Sequence, residues 1–193
     1  MKTLKQEELQ EILENHKKWL DGNGGLRANL SFADLSSANL SFANLRFANL
    51  RSSNLSSANL RSADLSSADL SSADLSSADL RFADLSSADL SSANLRFADL
   101  SSADLRSADL SSSNLSSADL RSAVGNSQQI TTIQTKTYEI IYTDIVMCIG
   151  CERHKIKCWF EFDDKRIVGM DGRKALFFWR KWKPILKQIM EIK

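Results

Sequence analysis

Cys148-x2-Cys151-x2-His154-x3-Cys158 gathers three thiols and one imidazole in a short stretch. Thiolate and imidazole are the ligands zinc prefers, so the set is chemically reasonable. The interval between Cys151 and His154 is too short for the usual paired-ligand loops, and Cys148 lies in a strand-like run. The preferred reading is therefore cysteine buried in a small unit, with no metal and no cofactor. Serine is abundant, but a nucleophile needs a base and an orienting group. The two histidines, His16 and His154, lie outside the serine-rich region. No phosphate-cradling loop and no paired histidines on a helix occur. The chain reads as a non-enzyme.

The remaining chemistry is charge. Residues 1–26 carry four Lys and five acids, a net −1. Residues 27–123 carry eight Arg and eleven Asp, a net −3. Residues 124–193 carry thirteen basic and eight acidic residues, a net +5. The overall +1 therefore conceals an acidic middle and a basic end. Residues 173–190 hold Arg173, Lys174, Arg180, Lys181, Lys183 and Lys187 with no acid. Such a segment could meet nucleic acid or an anionic membrane surface. The favoured reading is plainer: Trp179 and Trp182 fill a core while the cations are solvated or face the acidic middle.

The elements that position these charges follow from one period. Leu recurs at every fifth position from Leu30 to Leu120, nineteen times, and Ala stands two residues before each except at Ser53 and Ser113. On an α-helix a period of five spirals around the axis, and on a straight strand it alternates faces. Neither buries the leucines together. A coil that bends every five residues does. Ala and Leu point inward, Asp or Asn between them points outward, and two outward residues make each bend. Four sides close a coil of twenty residues, and stacked coils form a solenoid.

"ANLSFADLSSANLSFANLRFANL" and the residues after it resemble the pentapeptide-repeat proteins, whose repeat is Ala-(Asp/Asn)-Leu-x-x. The resemblance covers residues 28–123 and is unusually uniform. It implies a mainly β fold, a right-handed quadrilateral β-helix. Stacking then places residues twenty apart in columns: Asp64, Asp84 and Asp104; Asp69, Asp89 and Asp109; Asp79, Asp99 and Asp119. Family members that confer fluoroquinolone resistance bind DNA gyrase in place of DNA, so anionic columns imply a DNA-mimic alternative. The plainer reading is a polar face whose Asp and Asn satisfy turns. Arg61 and Arg81 stack on one side and count against mimicry. The reading is thus a protein-binding scaffold, with another protein as partner, and neither nucleic acid nor membrane bound directly.

Both ends of such a coil need covering. Residues 1–26 read as a capping helix and linker. Thr3 and Gln6 are spaced as a capping box, and Leu9, Ile12, Leu13, His16, Trp19 and Leu20 follow helical spacing. Gly22, Gly24 and Gly25 end the helix. Phe32, Phe42 and Phe47 are expected to pack on this helix or its linker. Residues 124–193 read as an α+β cap. Residues 135–150 alternate like a hairpin with its turn near Thr143 and Asp144. A short helix over 163–170 and a longer one over 173–190 follow, the second with Ala175, Trp179, Trp182, Leu186 and Ile189 on one face and Pro184 as an expected kink or break. A charged N-terminus that is no signal peptide, and three cysteines, an odd number, point to the cytoplasm.

Overall fold

In each repeat the residue between Ala and Leu carries the hydrogen-bonding ladder. Asp89 N–H donates to the Ala68 carbonyl at 2.9 Å, and Leu70 N–H donates to the Asp89 carbonyl at 2.8 Å. Parallel pairing of this kind links residues twenty apart, from Asn29 with Asn49 to Asp104 with Val124. One turn of the coil is therefore twenty residues. The computed structural model describes residues 2–126, 130–133, 135–143 and 146–191.

The bends are tight turns closed by Ala N–H on the Leu carbonyl three residues back, as in Ala73 to Leu70 at 3.0 Å. The second bend residue takes φ between 53° and 63° at every corner from Phe32 to Ser122, and none of these residues is glycine. Placed this way, Leu30 to Leu110 are at most 2% exposed. Ser53 replaces an inward Ala and is buried, and its hydroxyl donates to the Leu50 carbonyl at 2.7 Å. Burial of that hydroxyl is tolerated because it is bonded.

The chain packs as two compact units, Met1–Thr132 and Ile133–Lys193. In the first, β1 (Lys2–Thr3) pairs in parallel with β2 (Ala33–Asp34) on the first coil. Helix α1 (Gln6–Leu20) follows β1. Its N-cap is Lys5, whose N–H donates to Glu8 Oε2 at 3.0 Å. The expected Thr3 cap is therefore corrected: Thr3 is spent on the strand, and the helix starts two residues further on. The helix ends as read. Asn23 N–H donates to the Lys18 carbonyl at 2.9 Å and Gly22 N–H to that of Trp19 at 3.2 Å, with Gly22 at φ 69°. This left-handed stop suits glycine. Gly25 is needed for a second reason, since a Cβ there would lie 2.3 Å from the Asn15 carbonyl oxygen.

His16 is 0% exposed, and its Nδ1 accepts the N–H of Ala28 at 3.1 Å, the first inward residue of the coil. Its ring stacks on Trp19 at 5.6 Å, and Trp19 meets Phe47 edge-on at 6.4 Å. Of the three phenylalanines expected to pack on this segment, Phe47 does, whereas Phe32 and Phe42 are 58% and 75% exposed. Burial holds the His16 pKa below its usual 6.5. The nearby Arg46 carbonyl favours the charged ring and the Arg27 charge opposes it, but burial dominates. Among the described residues, Nε2 itself meets no partner within hydrogen-bond geometry. The unfolded chain therefore binds this proton more readily. The stability His16 contributes is complete above about pH 6.5 and falls away as pH drops through the lower folded value. Trp19 fluorescence during urea titration should show the cap loosening between pH 7 and 5, and His16→Gln should remove that part of the slope.

Strand β3 (Thr131–Ile133) spans the boundary into the second unit, and β4 (Ile140–Tyr142), β5 (Val146–Ile149) and β6 (Glu152–Lys155) follow it in a sheet of that order. β4 and β5 make the expected hairpin, with Tyr142 opposite Met147. Of its expected turn, Asp144 lies outside the described residues. β6 was not anticipated; Gly150, at φ 59°, turns the chain into it. Helix α2 (Ile156–Glu161) and helix α3 (Asp164–Glu191) complete the unit. Ile140, Met147, Trp159, Ile167, Phe178, Trp179 and Leu186 form its core. Trp159 Nε1–H donates to the Met147 carbonyl at 2.7 Å.

α3 departs from helical φ and ψ at Asp171 and Gly172 and runs on through Pro184. The break is thus at Gly172, with φ 60°, and not at the proline. Pro184 is exposed, so the carbonyl it strands can face water. On either side Lys183 Nζ donates to the Phe160 carbonyl at 2.9 Å and Leu186 is buried, which holds the segment in line.

Candidate functional site

The coil's ladder fixes each outward Asp by its own backbone. Asp64 pairs with Asp84 and Asp84 with Asp104; Asp69 with Asp89 and Asp89 with Asp109; Asp79 with Asp99 and Asp99 with Asp119. The structure thus brings all nine candidate carboxylates into the three columns read from the sequence.

Each side chain also closes the next bend. Ser71 N–H and Oγ–H both donate to Asp69 Oδ1, at 3.0 and 2.6 Å. Ser91 and Ser111 N–H donate to Asp89 and Asp109 at 2.9 and 2.8 Å. This is an Asx turn, and it explains why only Asp or Asn stands at this position along most of the array. At Asp109 the Ser111 N–H, then the Ser111 hydroxyl, hold the carboxyl pKa below its usual value.

The columns differ in what neutralises them. Arg81 binds Asp79 through two nitrogens and reaches Asp99 at 3.6 Å. Arg121 forks onto Asp119 and Arg106 onto Asp104. Arg46 stands 3.8 Å from Asp64. The guanidinium hydrogen bonds hold Asp79 and Asp104 below the usual carboxylate range. Among the described residues, Asp69, Asp89 and Asp109 meet no Lys or Arg. The bend residues beside them are Ser71, Ser91 and Ser111. Of the three columns, this is the one without a neutralising cation among the described residues. Arg61, which with Arg81 was expected to interrupt the anionic surface, lies over the Phe82 ring at 5.4 Å. Arg96 lies over Phe97 at 4.5 Å in the same manner. These cation–π contacts were missed; Arg96 directly before the corner Phe97 was the available signal for one, whereas Arg61 reaches a Phe one coil further on.

The cysteine and histidine set is not gathered. Met147 stands opposite His154 and Cys148 opposite Arg153, so Cys148 and His154 fall on opposite faces of the sheet. His154 Nε2 lies 3.0 Å from Glu152 Oε2, and its ring packs edge-on against Trp159 and Phe162. Cys151 is exposed in the turn and Cys158 is half-buried on α2. Among the described residues no group of His, Cys, Asp or Glu is placed to hold a metal. The basic helix is partly self-neutralised: Arg180 pairs with Asp164, and Lys174 lies 3.9 Å from Asp171. Trp179 is 3% exposed and belongs to the core. The Tyr138 hydroxyl donates to Asp171. Burial, then that bond and the Asp171 charge, push Tyr138 up to about 12.

A family model described as pentapeptide repeats matches eight copies over residues 28–66, 53–91 and 88–124. Among solved structures, a pentapeptide repeat protein of the cyanobacterium Cyanothece is 31% identical over 50% of this chain and 63% of its own, with a TM-score of 0.34. HetL of Nostoc, a pentapeptide repeat protein involved in heterocyst differentiation regulation, is 33% identical over 51% and 62%, with a TM-score of 0.25. One from the thylakoid lumen of Arabidopsis thaliana is 27% identical over 57% and 71%, with a TM-score of 0.35. The chain spans about six-tenths of the length of the first two. No curated protein matches it. With half its length matched by the family model over a coil of twenty residues per turn, the chain belongs to the pentapeptide repeat family.

Proposed function

We propose that this protein is a non-catalytic scaffold that binds another protein along its rod. The rod is a right-handed four-sided β-helix over residues 27–123. Residues 1–26 cap its start, and residues 124–193 form an α+β cap. The observation that carries the reading is the Asp69–Asp89–Asp109 column. In each residue one carboxylate oxygen holds a bend, while no cation of the described chain meets the group. A partner presenting Lys or Arg at matching spacing fits it. The absence of disulfides among Cys148, Cys151 and Cys158 fits a cytoplasmic location. Among the described residues no helix is long and apolar enough to cross a membrane.

Asn separates charge from structure at these positions, since Asn49, Asn54 and Asn59 hold their bends in the same way. The triple variant Asp69→Asn, Asp89→Asn, Asp109→Asn is expected to keep parental stability to within roughly 1 kcal/mol. It should lose the partners captured by the parent from a bacterial lysate. Ala at the three sites should cost about 1 kcal/mol each, because the bend N–H loses its acceptor. An unchanged set of captured partners in the Asn variant would remove the column from the binding surface.

The same column supports a second reading, a DNA mimic acting on a type II topoisomerase such as DNA gyrase. It predicts inhibition of gyrase supercoiling by the parent and not by the Asn variant. Supercoiling that proceeds unhindered in the presence of the parent excludes it.

A further inference from the structure

At the start of the first coil, two of its four sides are contacted by the segment that precedes them. Lys2 and Thr3 pair with Ala33 and Asp34, and His16 accepts the N–H of Ala28. Among the described residues, the N–H groups of Asn39 and Asn44 on the other two sides, like that of Asn29, meet no protein acceptor. Ala38 and Ala43 are half-buried, whereas Ala58 and Ala63 directly beyond them are 0% and 1% exposed. Phe42 stands at the corner between these two sides and is 75% exposed. Arg46 and Arg61 flank it. Arg46 lies 3.8 Å from Asp64 and over the Phe47 ring. Arg61 lies over Phe82, its charge felt at Asp79 but, among the described residues, with no carboxylate in ion-pair contact. An uncovered strand edge beside an exposed aromatic is a template for pairing.

Helix α1 is half-covered in the same way. Leu9, Ile12, Leu13 and Leu20 are half-buried and Trp19 is 38% exposed, so its apolar stripe exceeds what its own coil covers. Its outer side carries Glu7, Glu11 and Glu14, all exposed. Leu40 and Leu45 on the two open sides of the coil are 1% and 0% exposed, so what stays open is the strand edge with Ala38, Ala43 and Phe42, flanked by Arg46 and Arg61. The outer side of the helix is acidic up to Lys17 and Lys18 in its last turn. We propose that a second copy of this chain covers the open half: two rods meet start to start about a two-fold axis, and α1 of each lies over residues 38–45 of the other. A two-fold arrangement makes every such contact twice, so one mismatch between helix and coil satisfies both copies. Charge complementarity between Glu7, Glu11 and Glu14 and the Arg46–Arg61 flank sets the choice of a second copy over an unrelated apolar strand.

Sedimentation equilibrium of the full chain tests this. A dimer is expected at low salt, weakened in ~1 M salt where the screening length falls to about 3 Å. Phe42→Asp should weaken dimerisation about tenfold or more, with the circular dichroism of the rod unchanged because the ring is outside the core. Arg46→Glu with Arg61→Glu should give monomers, as should Glu7→Lys with Glu11→Lys and Glu14→Lys, and mixing the two proteins should restore a dimer. A monomeric parent overturns the proposal. So does a dimer indifferent to Phe42→Asp and to the charge exchange, or one lost instead on Phe177→Asp, which would place the contact on the exposed side of α3.

Discussion

Replacing Leu75 by Asp is expected to melt several coils of the rod together. Leu75 is 0% exposed, and so are Leu55 and Leu95, the residues twenty positions away in the coils above and below. Loss of a buried Leu side chain alone costs about 2–5 kcal/mol. The new carboxyl has no donor within the column, and burying such a group unbonded adds roughly 2–7 kcal/mol even if it takes up a proton. The sum matches the whole stability of an ordinary domain, about 5–15 kcal/mol. Because each coil is stable only through its neighbours, the damage spreads along the stack. Urea denaturation followed by far-ultraviolet circular dichroism should show a loss of about 5 kcal/mol or more, against roughly 3 kcal/mol for Leu75→Ala. Ser77→Asp, two residues away on the exposed corner, should stay within about 0.5 kcal/mol of the parent. A Leu75→Asp variant that melts like the parent would mean that these leucines do not share an interior.

That interior was legible because the period of five admits so few geometries. Once Ala and Leu both point inward, pairing of Asp69 with Asp89 and of Asp89 with Asp109 follows without further information. What the period could not show was the corner itself. Ser and Phe are poor left-handed residues, and a reader looking for turns looks for glycine, of which the array has none. The role of the outward Asp was legible as a class, a turn-satisfying polar group, but not its division of labour. Which columns are neutralised depends on the reach of Arg81, Arg106 and Arg121 back to the residue two before each.

The ends were read less well for the same reason in each case: local signals compete with contacts the sequence does not display. Thr3 has the chemistry of a helix cap, but pairing with Asp34 on the first coil takes precedence. Pro184 has the chemistry of a helix breaker, but the flanking Lys183 and Leu186 are held in the second unit, and the break falls at Gly172, where positive φ costs nothing. The cysteine spacing could not report that one strand register would put Cys148 and His154 on opposite faces.

The corners lead to the other large effect, in which one position responds to two substitutions with opposite signs. Ser72 has φ 57°, and its N–H donates to the Ser91 carbonyl of the next coil at 2.8 Å. Proline there would force φ to about −65° and delete that donor. The bend could not form, and Ala73 would lose its bond to Leu70 and its inward direction. A loss of about 4 kcal/mol or more is expected, with local opening visible as fast amide exchange in the coils on either side. Glycine at the same site should act the other way. A non-glycine residue in the left-handed region costs about 1–2 kcal/mol, while glycine adds roughly 0.5–1 kcal/mol of unfolded-state entropy. The net expectation is a gain of about 0.5–1 kcal/mol for Ser72→Gly, read as a higher urea midpoint at unchanged slope. The control is Ser71→Gly: that bend residue lacks positive φ, so glycine there should lose stability. If Ser72→Gly and Ser71→Gly shift the midpoint alike, the handedness of the corner is not what limits the rod. The gain at Ser72 would then have to come from the side chain instead of the backbone.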